Sequence, residues 1–237
     1  MDFLLKTPIT HRGLFDNKKI PENSLAAFKA SVDAGYPIEL DIRILHDGHL
    51  VVFHDSSLLR MTGSRGSILG ITLRELKSLK LLGTNEQIPL LEDVLNLVDG
   101  KVPLLLEIKN RKNIGRLEAR LLHVLKGYNG QYAIESFNPL SVKWFRLNAP
   151  EIKRGQLSSG FGAGRLPLRN TLLRATFLSR IAKPDFIAFD VRYLPARSIT
   201  KLRQKGYPVI GYTARSKEEF SQAMQYCDNI IFEGFRP

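Results

Sequence analysis

A chain of 237 residues with 43% hydrophobic content carries enough apolar material for one large core, and a single α/β barrel is of this size. One cysteine, Cys227, excludes an internal disulfide or a thiolate metal cluster and fits a reducing compartment; with no leader-like opening and no long apolar run, a cytoplasmic protein without a membrane span is expected. The formal net charge of +12 favours anionic partners or serves solubility alone, and no RRM, zinc-finger or helix-turn-helix signature supports nucleic acid.

Along the chain, short β-rich runs alternate with stretches of helical period. Pro8–His11 reads as the first strand, and Ser24–Asp33 as a helix capped by Asn23 or Ser24 and ended by Gly35. Pro37–Ile42 is the second strand and runs on into "ILHDGHLVVF". There Asp47-Gly48 signals a hairpin turn, so Leu50–Phe53 returns as a short antiparallel strand. The loop "TGSRGS" and two short helices, Thr72–Leu79 and Leu91–Val98, complete an insertion over residues 44–100. Strand Val102–Ile108 precedes helix Arg116–Lys126, Gln131–Ser136 precedes Pro139–Leu147, and Glu151–Leu157 precedes Leu168–Ile181. Asp185–Phe189 with Ala196–Lys205, Pro208–Tyr212 with Lys217–Tyr226, and a last strand, Asp228–Phe232, finish the series. Eight strands alternating with helices give a (β/α)8 TIM barrel with a small insertion after the second barrel strand, residues 1–237 forming a single domain. A doubly wound open sheet shares the alternation, but no GxGxxG follows the first strand.

Both faces of a parallel barrel strand are buried, one against the helices and one inside. Ile38, Leu40, Ile42 and Ile44 suit the helices, which turns Glu39 and Asp41 inward. In "PLLLEIKN", Leu104, Leu106 and Ile108 likewise face the helices, leaving Glu107 and Lys109 on the interior side. Buried carboxylates are costly unless paired or bound to a cation. Three of them at the C-terminal ends of adjacent strands point to an oxygen-only site for a hard divalent ion, Mg²⁺ or Ca²⁺. The nearby imidazoles leave a softer metal open, and a salt-bridge network through Arg12, Arg43 and Lys109 is the reading without a metal.

His11 ends the first strand in "THRG" and His54 the returning strand in "FHD", both on the face where barrel active sites lie. Two imidazoles suit general acid and base work near neutral pH. His46 and His49 flank the hairpin turn and His123 lies inside a helix, and none is assigned a catalytic role. Arg12 and Lys109 add positive charge suited to phosphate oxygens. Gly13 either lets the backbone approach a ligand or serves the turn alone. These residues point to metal-assisted cleavage of an anionic oxygen ester, with a phosphodiester as the leading case.

The ordered motifs "HRG" (His11–Gly13), "PENS" (Pro21–Ser24), "ELD" (Glu39–Asp41), "DGHLVVFHD" (Asp47–Asp55), "IPLLEDVL" (Ile88–Leu95), "LLLEIK" (Leu104–Lys109) and "SFNP" (Ser136–Pro139) resemble the glycerophosphodiester phosphodiesterases. The resemblance runs along nearly the whole chain and is densest in the first 110 residues. It implies hydrolysis of a small-molecule glycerophosphodiester to sn-glycerol 3-phosphate and an alcohol. His11 and His54 would be the acid/base pair, Glu39, Asp41 and Glu107 the metal ligands, and Arg12 and Lys109 the phosphate holders. Glu22 and Asn23 would shape the wall, mainly by positioning His11. The C-terminal half departs from the family pattern. "GYTAR" (Gly211–Arg215) stands where the family has Trp-Thr-Val-Asn, with Tyr212 as a substitute wall, and Glu233 stands at the position of an Asp.

The attacking hydroxyl is water or the substrate's own 2-hydroxyl; both fit these residues. A lysophospholipase D acting on lysophospholipids is the alternative within the same chemistry. A non-catalytic module binding phosphodiesters or anionic lipid is the alternative outside it, opposed by the presence of all five acid/base and metal positions. Twelve Lys/Arg against three acidic residues lie between Glu151 and Lys205, including the segment Arg165–Ala182. A helix there, with Leu168, Leu172, Leu173, Phe177, Leu178 and Ile181 on an apolar stripe, suits either the strands beneath it or peripheral contact with an anionic membrane. No sequence feature sets the oligomeric state.

Overall fold

The computed structural model describes residues 1–110, 113–159 and 181–237. In chain order the strands are β1 (Ile9–His11), β2 (Ile38–Ile44), β3 (Leu50–Val52), β4 (Leu104–Ile108), β5 (Tyr132–Ser136), β6 (Lys153–Ser158), β7 (Phe186–Asp190), β8 (Val209–Ala214) and β9 (Asn229–Phe232). All but β3 pair in parallel around a closed ring, β9 returning to β1 and β1 to β2. This is the eight-stranded barrel expected. The helices are α1 (Leu25–Asp33), α2 (Leu59–Thr62), α3 (Leu73–Leu76), α4 (Leu91–Val98), α5 (Arg116–Leu125), α6 (Pro139–Asn148), α7 (Arg197–Gln204) and α8 (Lys217–Met224). The helix expected over Leu168–Ile181, with its arginines and apolar stripe, lies outside the described residues except at its last position. Among the described residues no helix is long and apolar enough to cross a membrane.

β2 changes partners along its length. Its first residues pair with β1, Thr10 facing Ile38 and His11 facing Glu39. Beyond the point where β1 stops, β3 runs back antiparallel, with Ile42 opposite Val52 and Ile44 opposite Leu50. The alternation of β2 places Ile38, Leu40 and Ile42 in the outer core with Phe28 of α1, Leu91 and Val94 of α4, and Leu104, Leu106 and Ile108 of β4. The opposite residues face the barrel interior. Its lower half is plugged by Leu4, Ile9, Leu105, Ala133, Phe186, Ile210 and Ile231. Gly155 on β6 admits the ring of Phe186, since a Cβ there would lie 2.2 Å from it.

The insertion has a core of its own, built from Leu45, Val51, Phe53, Leu58, Met61, Ile68, Leu76, Leu81 and Ile88. Each such side chain contributes roughly 1.5–3 kcal/mol when fully buried, so the loop carrying His54 is anchored on both sides. Two local details sharpen the expectation. Ser24, not Asn23, caps α1, its Oγ accepting from the Ala27 N–H. The Thr72–Leu79 helix is the shorter α3, which starts after Thr72, its N-cap in a capping box with Glu75, and ends at Leu76.

Candidate active site

Parallel register brings the site together at the C-terminal ends of the strands. His11 sits opposite Glu39, Asp41 opposite Glu107, and Glu107 opposite Glu135 on β5. Glu39, Asp41 and Glu107 are buried, and one carboxylate oxygen of each lies within 4.8 Å of the other two. The expected ligand set is thus one cluster. Lys109 Nζ stands 3.0 Å from Asp41 Oδ1 and 2.7 Å from Glu107 Oε2, and Arg12 Nε lies 3.2 Å from Asp41 Oδ2. Asn23 Nδ2 donates to Asp41 Oδ2 at 2.8 Å, and Arg12 Nη1 donates to Glu22 Oε1 at 2.8 Å. Arg43 Nε donates to the His54 carbonyl at 2.9 Å and helps hold that loop.

Arg12 and Asn23 both hold left-handed backbone, with φ of 56° and 55°, and the Asn23 N–H donates to the Arg12 carbonyl at 3.0 Å. Such conformations persist where the surroundings fix them, and here they aim both side chains at Asp41. Gly13 has φ of 83°, and a Cβ there would lie 2.8 Å from the Ala27 backbone. Its glycine is explained by the turn and by packing on α1, so close approach of a ligand is not needed to account for it.

Charge decides what the carboxylates can do. Burial opposes ionisation of Asp41, but Lys109 and Arg12 overcome it and hold this carboxyl well below the usual range. Glu39 goes the other way: burial, then the charges of Asp41 and Glu107, push it well above. Glu107 is raised by burial and Asp41 in spite of Lys109, and Glu135 is raised well above by burial and Glu107. Four carboxyl groups therefore share two cations, and Oε2 of Glu135 is buried without a hydrogen-bond partner. The salt-bridge network exists, yet its two cations do not suffice to ionise every carboxyl, and Glu39 and Glu135 stay well above the usual range. A hard cation on Glu39, Asp41 and Glu107 fits that deficit and this oxygen-only donor set.

The two histidines are oriented alike. His11 Nδ1 is hydrogen-bonded to Glu233 Oε2, and His54 Nδ1 lies 2.7 Å from Asp55 Oδ1. Burial works to raise Glu233, but His11 and Arg215 keep it low; Asp55 is held at about 2 by Arg60 and His54 against burial. Both carboxylates are ionised and accept, so each ring carries its proton on Nδ1 and turns Nε2 away from its carboxylate. His11 Nε2 is 3.9 Å from Glu39 Oε2. Burial lowers the pKa of both rings, and for His54 Lys109 and Arg12 add to the effect.

A cavity of about 190 Å³ is lined by His11, Arg12, Glu39, His54, Glu107, Lys109, Glu135 and Tyr212, among others. A wider groove of about 760 Å³ shares His54, Glu107, Lys109 and Phe137 with it and continues over Ser56, Ser57, Asn110 and Asn138. The Tyr212 hydroxyl donates to the Ser158 carbonyl at 3.0 Å, and its ring meets Phe137 edge-on at 6.1 Å. Tyr212 is a wall.

The sequence profile of the glycerophosphoryl diester phosphodiesterase family matches residues 11–235. The chain belongs to this family. It is 37% identical over 163 residues to a glycerophosphodiester phosphodiesterase of Caldanaerobacter subterraneus subsp. tengcongensis, a match covering 63% of this chain and 65% of the relative. A lysophospholipase D of Rattus norvegicus is 30% identical over 141 residues, or 54% of this chain and 43% of that protein. These matches span less than two thirds of the relatives' length. An Oleispira antarctica phosphodiesterase, solved with the product sn-glycerol-3-phosphate, superposes with a TM-score of 0.81 at 25% identity, covering 97% of this chain and 93% of that one.

Four groups at this family site escaped the sequence reading as functional residues. Glu135 carries the parity of Glu107 one strand along, a signal available in "YAIES". Glu233 reads in the sequence only as a substitution for Asp; closure of β9 onto β1 brings it to His11. Asp55 lies in the loop after β3 and Arg60 on the single turn of α2, both too short for periodicity to say which way a side chain turns.

Proposed function

We propose that this protein hydrolyses a glycerophosphodiester to sn-glycerol 3-phosphate and an alcohol, using a divalent cation, Mg²⁺ or Ca²⁺, and the histidine pair. The observation that carries the reading is the convergence of Glu39, Glu107, His11 and His54 on one cavity, with Asp41 clustered against the two glutamates. Glu39, Asp41 and Glu107 would hold the cation, which supplies charge to neutralise phosphoryl oxygens and to lower the pKa of the attacking hydroxyl. Lys109 and Arg12 present cationic groups at the same wall, suited to the remaining phosphate oxygens. One imidazole takes the proton of the attacking hydroxyl at Nε2, and the other returns a proton to the leaving alkoxide. Both rings tend to be neutral in the free protein, and an anionic diester beside them favours protonation of the one that faces the leaving oxygen. Asp55 and Glu233 keep Nδ1 protonated, so the chemistry falls to Nε2 on both rings. Glu22 and Asn23 hold Arg12 and Asp41 in place, and Tyr212 shapes the wall. We read residues 1–237 as one barrel domain of a cytoplasmic enzyme, with the insertion at about 44–100.

Among the described residues the groove beyond His54 offers Ser56, Ser57, Asn110, Ser136 and Asn138 with Arg43 and Asp55 as polar partners for a small alcohol, and Ile108, Phe137 and Pro139 as apolar surface for an acyl chain. Incubation with glycerophosphocholine and, separately, with a lysophospholipid tests which it takes. Release of glycerol 3-phosphate from the first, lost in His11→Ala and His54→Ala, is expected. Faster turnover of the lysolipid would make the protein a lysophospholipase D. Tight diester binding without turnover would make it a binding module.

A further inference from the structure

The two acid/base candidates sit on segments far apart in the chain, and one side chain joins their supports. Arg60 lies on α2, carried into the insertion's core by its neighbour Met61. Its guanidinium spans two carboxylates. Nη2 donates to Glu22 Oε1 at 2.7 Å and Nη1 to Glu22 Oε2 at 3.1 Å, while Nε donates to Asp55 Oδ2 at 2.7 Å and Nη2 to Asp55 Oδ1 at 3.1 Å. Glu22 also accepts from Arg12, and Asp55 Oδ1 is the acceptor for His54 Nδ1. A continuous chain therefore runs Arg12–Glu22–Arg60–Asp55–His54.

We propose that Arg60 is a positioning residue that fixes the orientation of His54 through Asp55 and of Arg12 through Glu22, so that the insertion controls the chemistry of the barrel. This rests on the roles given above to His54 and Arg12. The planar fork is required, because an ammonium cannot meet four oxygens of two carboxylates at once. Released from Arg60, Asp55 is free to turn, and the His54 ring loses the acceptor that selects its Nδ1–H form. The Arg60 side chain is 46% exposed, so the space it leaves in a truncated variant is open to a small solute.

The test compares Arg60→Ala and Arg60→Lys with the parent protein, all with Mg²⁺ present. With glycerophosphocholine, Arg60→Ala loses about 10- to 100-fold in kcat, the range found for outer-shell groups that orient metal-ligand side chains, with a smaller change in KM. Arg60→Lys recovers little of it. Millimolar guanidinium restores kcat in Arg60→Ala beyond what sodium chloride of equal ionic strength does, and restores nothing in Asp55→Ala. Independently of turnover, ¹⁵N-histidine spectra show His54 protonated on Nδ1 in the parent, a tautomer mixture in Arg60→Ala, and return of the first form with guanidinium. An Arg60→Ala protein that folds with parental kcat and an unchanged His54 spectrum overturns the proposal, as does a loss in Arg60→Ala and Arg60→Lys that guanidinium does not repair. A parent protein inactive on the diester overturns the functional reading instead, and the histidine spectra then decide the role of Arg60 alone.

Discussion

Two isosteric substitutions two residues apart on β2 are expected to act in opposite directions. In Asp41→Asn the buried charge that faces Arg12 at 3.2 Å and Lys109 at 3.0 Å disappears. Removing one partner of a buried ion pair costs about 3–5 kcal/mol. Arg12 keeps Glu22 and Lys109 keeps Glu107, which places the cost at the lower end, about 3 kcal/mol. For a chain of this size that lowers Tm by about 6–12 °C. Glu39→Gln removes a carboxyl whose ionisation burial and its neighbours already oppose, and it keeps an oxygen for the Arg12 N–H at 3.2 Å. Without a divalent cation this variant melts no lower than the parent, and higher above neutral pH. Differential scanning calorimetry in EDTA, then in Mg²⁺ or Ca²⁺, separates the effects. The parent gains about 2.7 kcal/mol when the cation is at about 100 times its Kd, and both variants lose that gain. Equal destabilisation of the two variants in EDTA would refute the charge argument.

Further outcomes follow from the same groups. The raised carboxyls Glu39, Glu107 and Glu135 bind more protons folded than unfolded, so cation-free stability falls as pH rises above about 4.3, through their folded pKa values; Asp41, shifted the other way, loses its contribution only in acid. Urea titrations from pH 5 to 8 should show the decline in EDTA and its suppression by Mg²⁺. Glu233→Gln, replacing the acceptor for His11, should lower kcat about 10- to 100-fold with little change in Tm, read by steady-state kinetics and calorimetry. Gly13→Ala should destabilise by at least about 1–2 kcal/mol, since φ is 83° and the new Cβ meets the Ala27 backbone at 2.8 Å, as chemical denaturation would register.

Much of the barrel was legible because burial on both faces leaves a simple alternation. Isoleucines and leucines of β2 and β4 had to face the helices, so Glu39, Asp41 and Glu107 had to face inward, and they do. Asp47-Gly48 marked the reversal that brings His54 back over β2. Partners fixed by strand neighbourhood were harder to see: Glu233 meets His11 only because the last strand closes on the first. Short segments between the barrel elements were hardest. Arg60 looks like any exposed arginine in "SSLLRMTG", and its two carboxylate partners lie 5 and 38 residues away. Asn23 illustrates the same point, since its left-handed backbone turns a plausible helix cap into a hydrogen-bond donor for Asp41.

The central claim is that a cation on Glu39, Asp41 and Glu107 works with His11 and His54 on a glycerophosphodiester. Glycerol 3-phosphate released from glycerophosphocholine, followed through EDTA treatment and readdition of Mg²⁺ or Ca²⁺, tests it most directly. The account predicts release that stops with chelator, returns with the cation in the parent, and does not return in Glu39→Gln. Undiminished release in EDTA, or a Glu39→Gln protein as active as the parent, would contradict it.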